Sequence, residues 1–180
     1  MKYAFIMNSG TLSPENYSAL YEDQGNLYFF TAVHGMDMAR ELVKQLADDG
    51  YELIDLCGDF DAEKAEDIEK ASGGRIKASY AKYTEEELAK FNALPVNDRY
   101  GIIVLGFGLS RDVVRLALES GEYNTDISIV AKEETAALEA KKMAAEGIHF
   151  IELCGYFDAE KAETVIQAVD RKVPVGYCGK

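Results

Sequence analysis

Two short stretches hold residues able to do chemistry, and they are nearly the same stretch. Leu56-Cys57-Gly58-Asp59-Phe60-Asp61-Ala62-Glu63-Lys64-Ala65-Glu66 returns as Leu153-Cys154-Gly155-Tyr156-Phe157-Asp158-Ala159-Glu160-Lys161-Ala162-Glu163. An acid stands two residues before each cysteine, Asp55 in one and Glu152 in the other. On a β-strand, residues two apart share a face, so each stretch sets a carboxyl beside a thiol. Such a carboxyl can anchor a polar ligand or carry a proton, and a thiol beside a base can act as a nucleophile. His34 offers that base if the strand it ends lies next to the strand bearing Cys57. The catalytic candidates are therefore Asp55, Cys57, Glu152, Cys154 and His34. The same residues also fit a structural role, with each acid tied to backbone amides or to Lys77 and each cysteine filling a small apolar space.

A second candidate is Gly106-Phe107-Gly108-Leu109-Ser110-Arg111. Read as a turn from a strand into a helix, it would offer the amides of Gly106, Gly108 and Ser110, with the Arg111 guanidinium, to a phosphate or carboxylate. It lacks the third glycine and the ribose-binding acid of a dinucleotide motif, and the first copy has Ser9-Gly10-Thr11 there. No cluster has metal-ligand spacing, so neither metal nor cofactor is expected.

The elements that must position these residues are duplicated with them. An offset of 97 positions, from Cys57 to Cys154, aligns residues 1–83 with 98–180 without a gap. The reading is a first repeat over 1–83, a linking helix within 84–97 and a second repeat over 98–180. Lys2 to Met7 and Arg99 to Val104 open the copies as apolar strands. Ser110 caps a helix bearing Val113, Val114, Ala117 and Leu118 and ending at Gly121, and Ser13-Pro14-Glu15 starts its shorter counterpart.

Leu27 to Val33 and Thr125 to Val130 are the second strands. Helices follow on Met38, Ala39, Leu42, Val43 and Leu46, and on Ala136, Ala140, Met143 and Ala144. Leu53 to Cys57 and Phe150 to Cys154 are third strands. Asp61 and Asp158 then cap helices whose alanines face inward. Arg75 to Tyr80 and Val173 to Tyr177 close the copies. Thr84 with Glu87 begins the linking helix as a capping box, with Leu88 and Phe91 its only apolar edge.

Alternating strands and helices imply an α/β fold with parallel strands. Eight strands predict a small (β/α)8 barrel built from two fused four-stranded βα repeats, with both acid-thiol pairs at one mouth, at the strand carboxyl ends. The alternative is two four-stranded α/β sheets packed as a pseudo-dimer.

With 32 acidic against 19 basic residues, the net charge is −13, which repels nucleic acid and anionic membranes. No apolar run is long enough to span a bilayer, and three cysteines without a CxxC pair are expected to stay reduced, as in the cytoplasm. Partners expected are a small polar or anionic ligand and a second copy in a homo-oligomer, with no nucleic acid and no membrane.

Gly147-Ile148-His149-Phe150-Ile151-Glu152-Leu153-Cys154-Gly155-Tyr156-Phe157, followed by Val173-Pro174-Val175-Gly176, resembles an uncharacterised bacterial family, domain of unknown function 6506. The first copy departs, with Asp55 for the glutamate and Ile76-Lys77-Ala78-Ser79 for Val-Pro-Val-Gly. The resemblance implies a tandem pair of that domain and no particular activity. Two functions then stand: a small-molecule site at the strand carboxyl ends using Asp55 and Glu152, or a non-catalytic structural or assembly protein fused from an ancestral homodimer.

Overall fold

Tyr3-Ala4-Phe5-Ile6-Met7 is apolar on both sides of the pleat, as the central strand of a sheet must be. It forms β1 (Lys2–Asn8), in the middle of a five-stranded sheet. The computed structural model describes residues 1–106 and 108–179, and the chain divides into two compact units, Met1–Ala81 and Lys82–Lys180. The first unit continues as β2 (Ser18–Asp23), β3 (Asn26–Val33), α1 (Met36–Asp48), β4 (Leu53–Cys57), α2 (Ala62–Ala71) and β5 (Lys77–Tyr80). The second contains α3 (Glu85–Asn92), β6 (Arg99–Leu105), β7 (Val113–Glu119), β8 (Asn124–Val130), α4 (Glu133–Ala145), β9 (Phe150–Gly155), α5 (Ala159–Ala168) and β10 (Val175–Tyr177). Strand order is β2-β3-β1-β4-β5 in one sheet and β7-β8-β6-β9-β10 in the other, so equivalent strands hold equivalent places. Neighbours pair in parallel, except that β2 is antiparallel to β3 and β7 to β8.

The strands do not close into a (β/α)8 barrel. They form two open sheets, as in the alternative reading, with five strands each instead of four. The added strands are the segments expected to be helices after Ser13 and Ser110. In β7, Val114, Leu116 and Leu118 are half-buried while Arg115, Ala117 and Glu119 are exposed, a period of two that β-branched Val113 and Val114 favour over a helix. In the first unit the amides of Asn16 and Tyr17 both donate to the Ser13 carbonyl, at 3.1 and 2.9 Å, making a turn that does not propagate. Gln24 (φ 49°) and Gly25 (φ 79°) then link β2 to β3. Two consecutive left-handed residues suit a two-residue hairpin, so the chain folds back antiparallel and ends the sheet at that edge.

One face of each sheet takes the helices. Ala4, Ile6, Val33, Ile54 and Leu56 pack with Ala39, Leu42, Val43 and Leu46 of α1 and Ala65 and Ile68 of α2. Ile103, Leu105, Val130, Ile151 and Leu153 do the same with Ala136, Ala140 and Met143 of α4 and Ala162, Val165 and Ile166 of α5. Asp61 and Asp158 cap α2 and α5, accepting from the amides of Lys64 at 2.9 Å and Lys161 at 3.0 Å. Among the described residues no helix is long and apolar enough to cross a membrane.

The outer strands at the β5 and β10 edges are closed by glutamates. Glu69 of α2 accepts from the Ala78 amide at 2.9 Å, and Glu87 of α3 accepts from the equivalent Val175 amide at 2.9 Å. This differs from the expected apolar edge on α3: Glu87 is buried at 1% exposure while Leu88 is 45% exposed. Half the capping box forms, with Thr84 accepting from the Glu87 amide at 3.3 Å, and the Glu87 carboxylate serves the sheet instead.

Candidate functional site

Because Ile54 and Leu56 face the helices, Asp55 and Cys57 point to the opposite side of the first sheet, where both are buried. Asp55 accepts from the Tyr3 hydroxyl at 3.1 Å and from the Ser79 hydroxyl, the residue directly across on β5. Lys77, the cation expected to hold it, reaches Glu69 at 3.9 Å. In the second unit Glu152 is 3% exposed and accepts from Tyr83 at 2.8 Å and from Tyr100. Tyr100 is the counterpart of Tyr3 under the 97-residue offset, and Gly176, paired with Glu152, is the counterpart of Ser79.

Gly176 is there for space. A Cβ on it would lie 2.6 Å from Cζ of Tyr83, whose ring crosses the strand at that point. The shorter acid is thus met by a serine on the adjacent strand, whereas the longer one needs a glycine there and a phenol from outside the sheet. Sequence reasoning missed Tyr3, Ser79, Tyr83 and Tyr100. The signal for two of them was available, since the offset lays Tyr3 on Tyr100, each on the strand beside its acid.

Asp55 with Cys57 belongs to the first sheet and Glu152 with Cys154 to the second, and neither sheet closes into a barrel. The His34–Cys57 pairing is corrected by topology: β1 lies between β3 and β4, because the chain crosses over β1 by way of α1. His34 is exposed and its Nδ1 is 3.3 Å from the Leu12 carbonyl oxygen, while Cys57 is buried beside Met7. Cys154 lies with its Sγ 3.6 Å from that of Cys178, a residue whose first-copy counterpart is Ala81.

The carboxyl ends of the first unit's strands carry a polar cluster outside the repeated acid-x-Cys-Gly motif. Asn8, closing β1, accepts from the Gly35 amide at 2.8 Å and donates to Asp59, which follows β4. Lys64 donates to Asp59 Oδ2 at 2.9 Å and to its carbonyl oxygen at 2.5 Å. The Lys64 hydrogen bond outweighs burial, and with help from Asn8 holds the Asp59 carboxyl below its usual range; Asp59 in turn raises Lys64. Gly58 lets the ends of β1 and β4 meet, because at φ 88° its Cβ position lies 2.7 Å from the Asn8 carbonyl oxygen. The chain leaves β1 toward β2 and leaves β4 toward β5, in opposite directions, which makes this the switch point of the sheet.

The equivalent edge of the second unit has Leu105 and Tyr156 at the positions of Asn8 and Asp59. Gly106 to Arg111 leave from it, and they lead into strand β7, so the helix N-terminus expected there is replaced by a strand. Gly108 has φ 67°, Ser110 and Arg111 are exposed, and Phe107 lies outside the described residues. On the helix side, Glu139 of α4 is 7% exposed and accepts two hydrogen bonds from Arg115 and one from Ser128 at 2.9 Å. Burial pushes the Glu139 carboxyl up, but the Arg115 and Ser128 hydrogen bonds and the Arg115 charge together hold it below its usual range.

Among curated proteins none matches the sequence. Among solved structures, an ABC transporter periplasmic solute binding protein from Actinobacillus succinogenes 130z with bound D-allose is similar at 14% identity, covering 97% of this chain and 77% of that one. Its TM-score is 0.29, too low to assign a shared fold. A family of unknown function (DUF6506) matches residues 1–95 and again 98–179. Those two matches, repeating the strand order found in each unit, place the chain in that family as a tandem pair of its domain.

Proposed function

We propose that this protein binds a small polar or anionic metabolite at the carboxyl ends of the first unit's strands. The observation that carries this reading is the cluster of Asn8, Asp59 and Lys64 at the switch point between β1 and β4, where open α/β sheets bind their ligands. It offers amide, carboxylate and ammonium groups in one hydrogen-bonded cluster, a set suited to a ligand with both donors and acceptors. Asp55 and Glu152 stand behind the strand ends as buried anchors for the sheets. Gly106, Gly108, Ser110 and Arg111 form the corresponding edge of the second unit, with Arg111 the group suited to an anion. The reading places the protein in a reducing compartment such as the cytoplasm, where cysteines without a CxxC pair stay as thiols.

Thermal shifts with a panel of small polar metabolites test it, run on the wild type and on Asn8→Leu with Asp59→Tyr, which install the second copy's residues. A ligand at about 100 times its dissociation constant stabilises by about 2.7 kcal/mol. That gain should vanish in the double variant and survive in Asp55→Asn and Glu152→Gln. The reverse pattern would move the site to the tyrosine–carboxyl pairs.

A second reading, a non-catalytic structural or assembly protein descended from a fused homodimer, draws on one observation. Each buried acid accepts hydroxyls at both oxygens, which is what a folded core requires with no ligand present. No shift with any metabolite, together with self-association, would favour it.

A further inference from the structure

Next after Glu152 and Gly176 on the same face of β9 and β10 come Cys154 and Cys178. Tyr177 pairs with Leu153, and the Cys178 amide donates to the Leu153 carbonyl at 2.8 Å, so Cys178 continues the ladder beside Cys154. Their sulfurs are 3.6 Å apart and both residues are buried. Paired strands hold facing Cα atoms about 4.8 Å apart, inside the roughly 4.4–6.8 Å that a disulfide spans. Side-chain rotation alone can therefore bring the sulfurs to bonding distance.

We propose that Cys154 and Cys178 form a reversible dithiol–disulfide couple, oxidised by hydrogen peroxide. One thiolate attacks an oxygen of hydrogen peroxide, the O–O bond breaks, and a sulfenic acid and hydroxide result, the hydroxide taking up the proton the thiol had lost to become water. The second thiolate attacks the sulfenyl sulfur, and the departing hydroxide takes a proton to become the second water. Two electrons pass from the two thiols to the peroxide, and a dithiol reductant reverses the step by exchange. Burial of both sulfurs slows attack, so the oxidant enters when the short edge strand β10 opens locally. The product would tie β10 to β9 one step beyond the Tyr83–Glu152 contact. The first unit has Cys57 but Ala81 in the two positions, which confines the couple to the second unit.

The test treats the full chain with hydrogen peroxide, then labels it with N-ethylmaleimide in denaturant and weighs it. Untreated protein takes three labels, one per cysteine. Treated protein should take one, on Cys57, with a Cys154–Cys178 linked peptide on mapping and three labels again after dithiothreitol. Cys57→Ser should still form the linked peptide, and Cys178→Ser should form no intramolecular disulfide. Three labels after prolonged treatment, a bond through Cys57, or oxygen added to Cys154 in place of a linkage would each overturn the proposal.

Discussion

Replacing Gly176 with alanine tests the link between the sheet and the buried glutamate. The new Cβ would stand 2.6 Å from Tyr83 Cζ and 2.7 Å from Cε2, where carbon contacts settle at about 3.5–4.0 Å. The ring must retreat by roughly 1 Å at the atom that bears the hydroxyl. That stretches the 2.8 Å Tyr83–Glu152 hydrogen bond past the useful limit. Losing it and leaving a buried carboxyl oxygen short of a donor costs about 1–3 kcal/mol. For a chain of this size, 2 kcal/mol is roughly 4–8 °C in melting temperature. Tyr83→Phe removes the same bond and should cost a similar amount, and Gly176→Ala in a Tyr83→Ala background should be neutral within about 0.5 kcal/mol. Urea melts followed by circular dichroism on the wild type, Gly176→Ala, Tyr83→Ala and the double variant complete the cycle, with Tyr83→Phe measured beside them. An equal cost for Gly176→Ala in both backgrounds would show that the glycine serves something other than Tyr83.

Gly155 (φ 82°) and Gly58 (φ 88°) should tolerate alanine far less, since the added Cβ would meet the carbonyl oxygens of Leu105 at 2.5 Å and Asn8 at 2.7 Å. A left-handed conformation plus a backbone clash costs at least about 3 kcal/mol, and a melting temperature unchanged by Gly155→Ala would refute the geometry. Glu87→Ala should speed amide hydrogen exchange at Val175 and leave Ala78 protected, with Glu69→Ala giving the converse. Arg115→Met should destabilise at pH 7 by leaving Glu139 buried without its cation. Because the folded-state value of Glu139 lies below the ordinary glutamate value of about 4.3, the stability that Arg115 confers is present above that pH and lost as pH falls through the folded value. Denaturant melts should show the wild-type advantage shrinking below about pH 4, and a widening gap in acid would contradict the assignment.

Ordered strongly by period, the elements of each repeat were readable from the residues. The apolar runs read at Lys2 to Met7 and Arg99 to Val104 lie within β1 and β6, and the stripes of α1 and α4 and the Asp61 and Asp158 caps stand where spacing put them. Val113 to Glu119 misled because Val113, Val114, Ala117 and Leu118 satisfy a helical stripe while Val114, Leu116 and Leu118 satisfy a strand; pairing with β8 decided between them. A helix at that segment and at its counterpart after Ser13 leaves four strands in each repeat in place of five, and eight in all suggest closure. Side-chain direction on β4 was legible from alternation alone. Strand order was not, and so His34 was set beside Cys57 when β1 separates them. The hydroxyls that meet the two acids come from positions 24, 52 and 69 residues away, distances at which a motif search cannot pair residues.

The serine–aspartate and glycine–tyrosine–glutamate arrangements have a consequence for the history of the two halves. Duplicated segments that stay alike can exchange stretches by recombination, which tends to make them identical. Here an exchange carrying only part of a set is penalised: a serine at position 176 meets the Tyr83 ring, and a glycine at position 79 removes the Ser79 hydroxyl from Asp55. Positions 55 and 79 lie on different strands with a helix between, as do 152 and 176, so a short exchange seldom moves both together. The steric fit inside each half thereby acts as a barrier that keeps the halves from becoming one sequence again, and leaves each free to acquire a feature of its own.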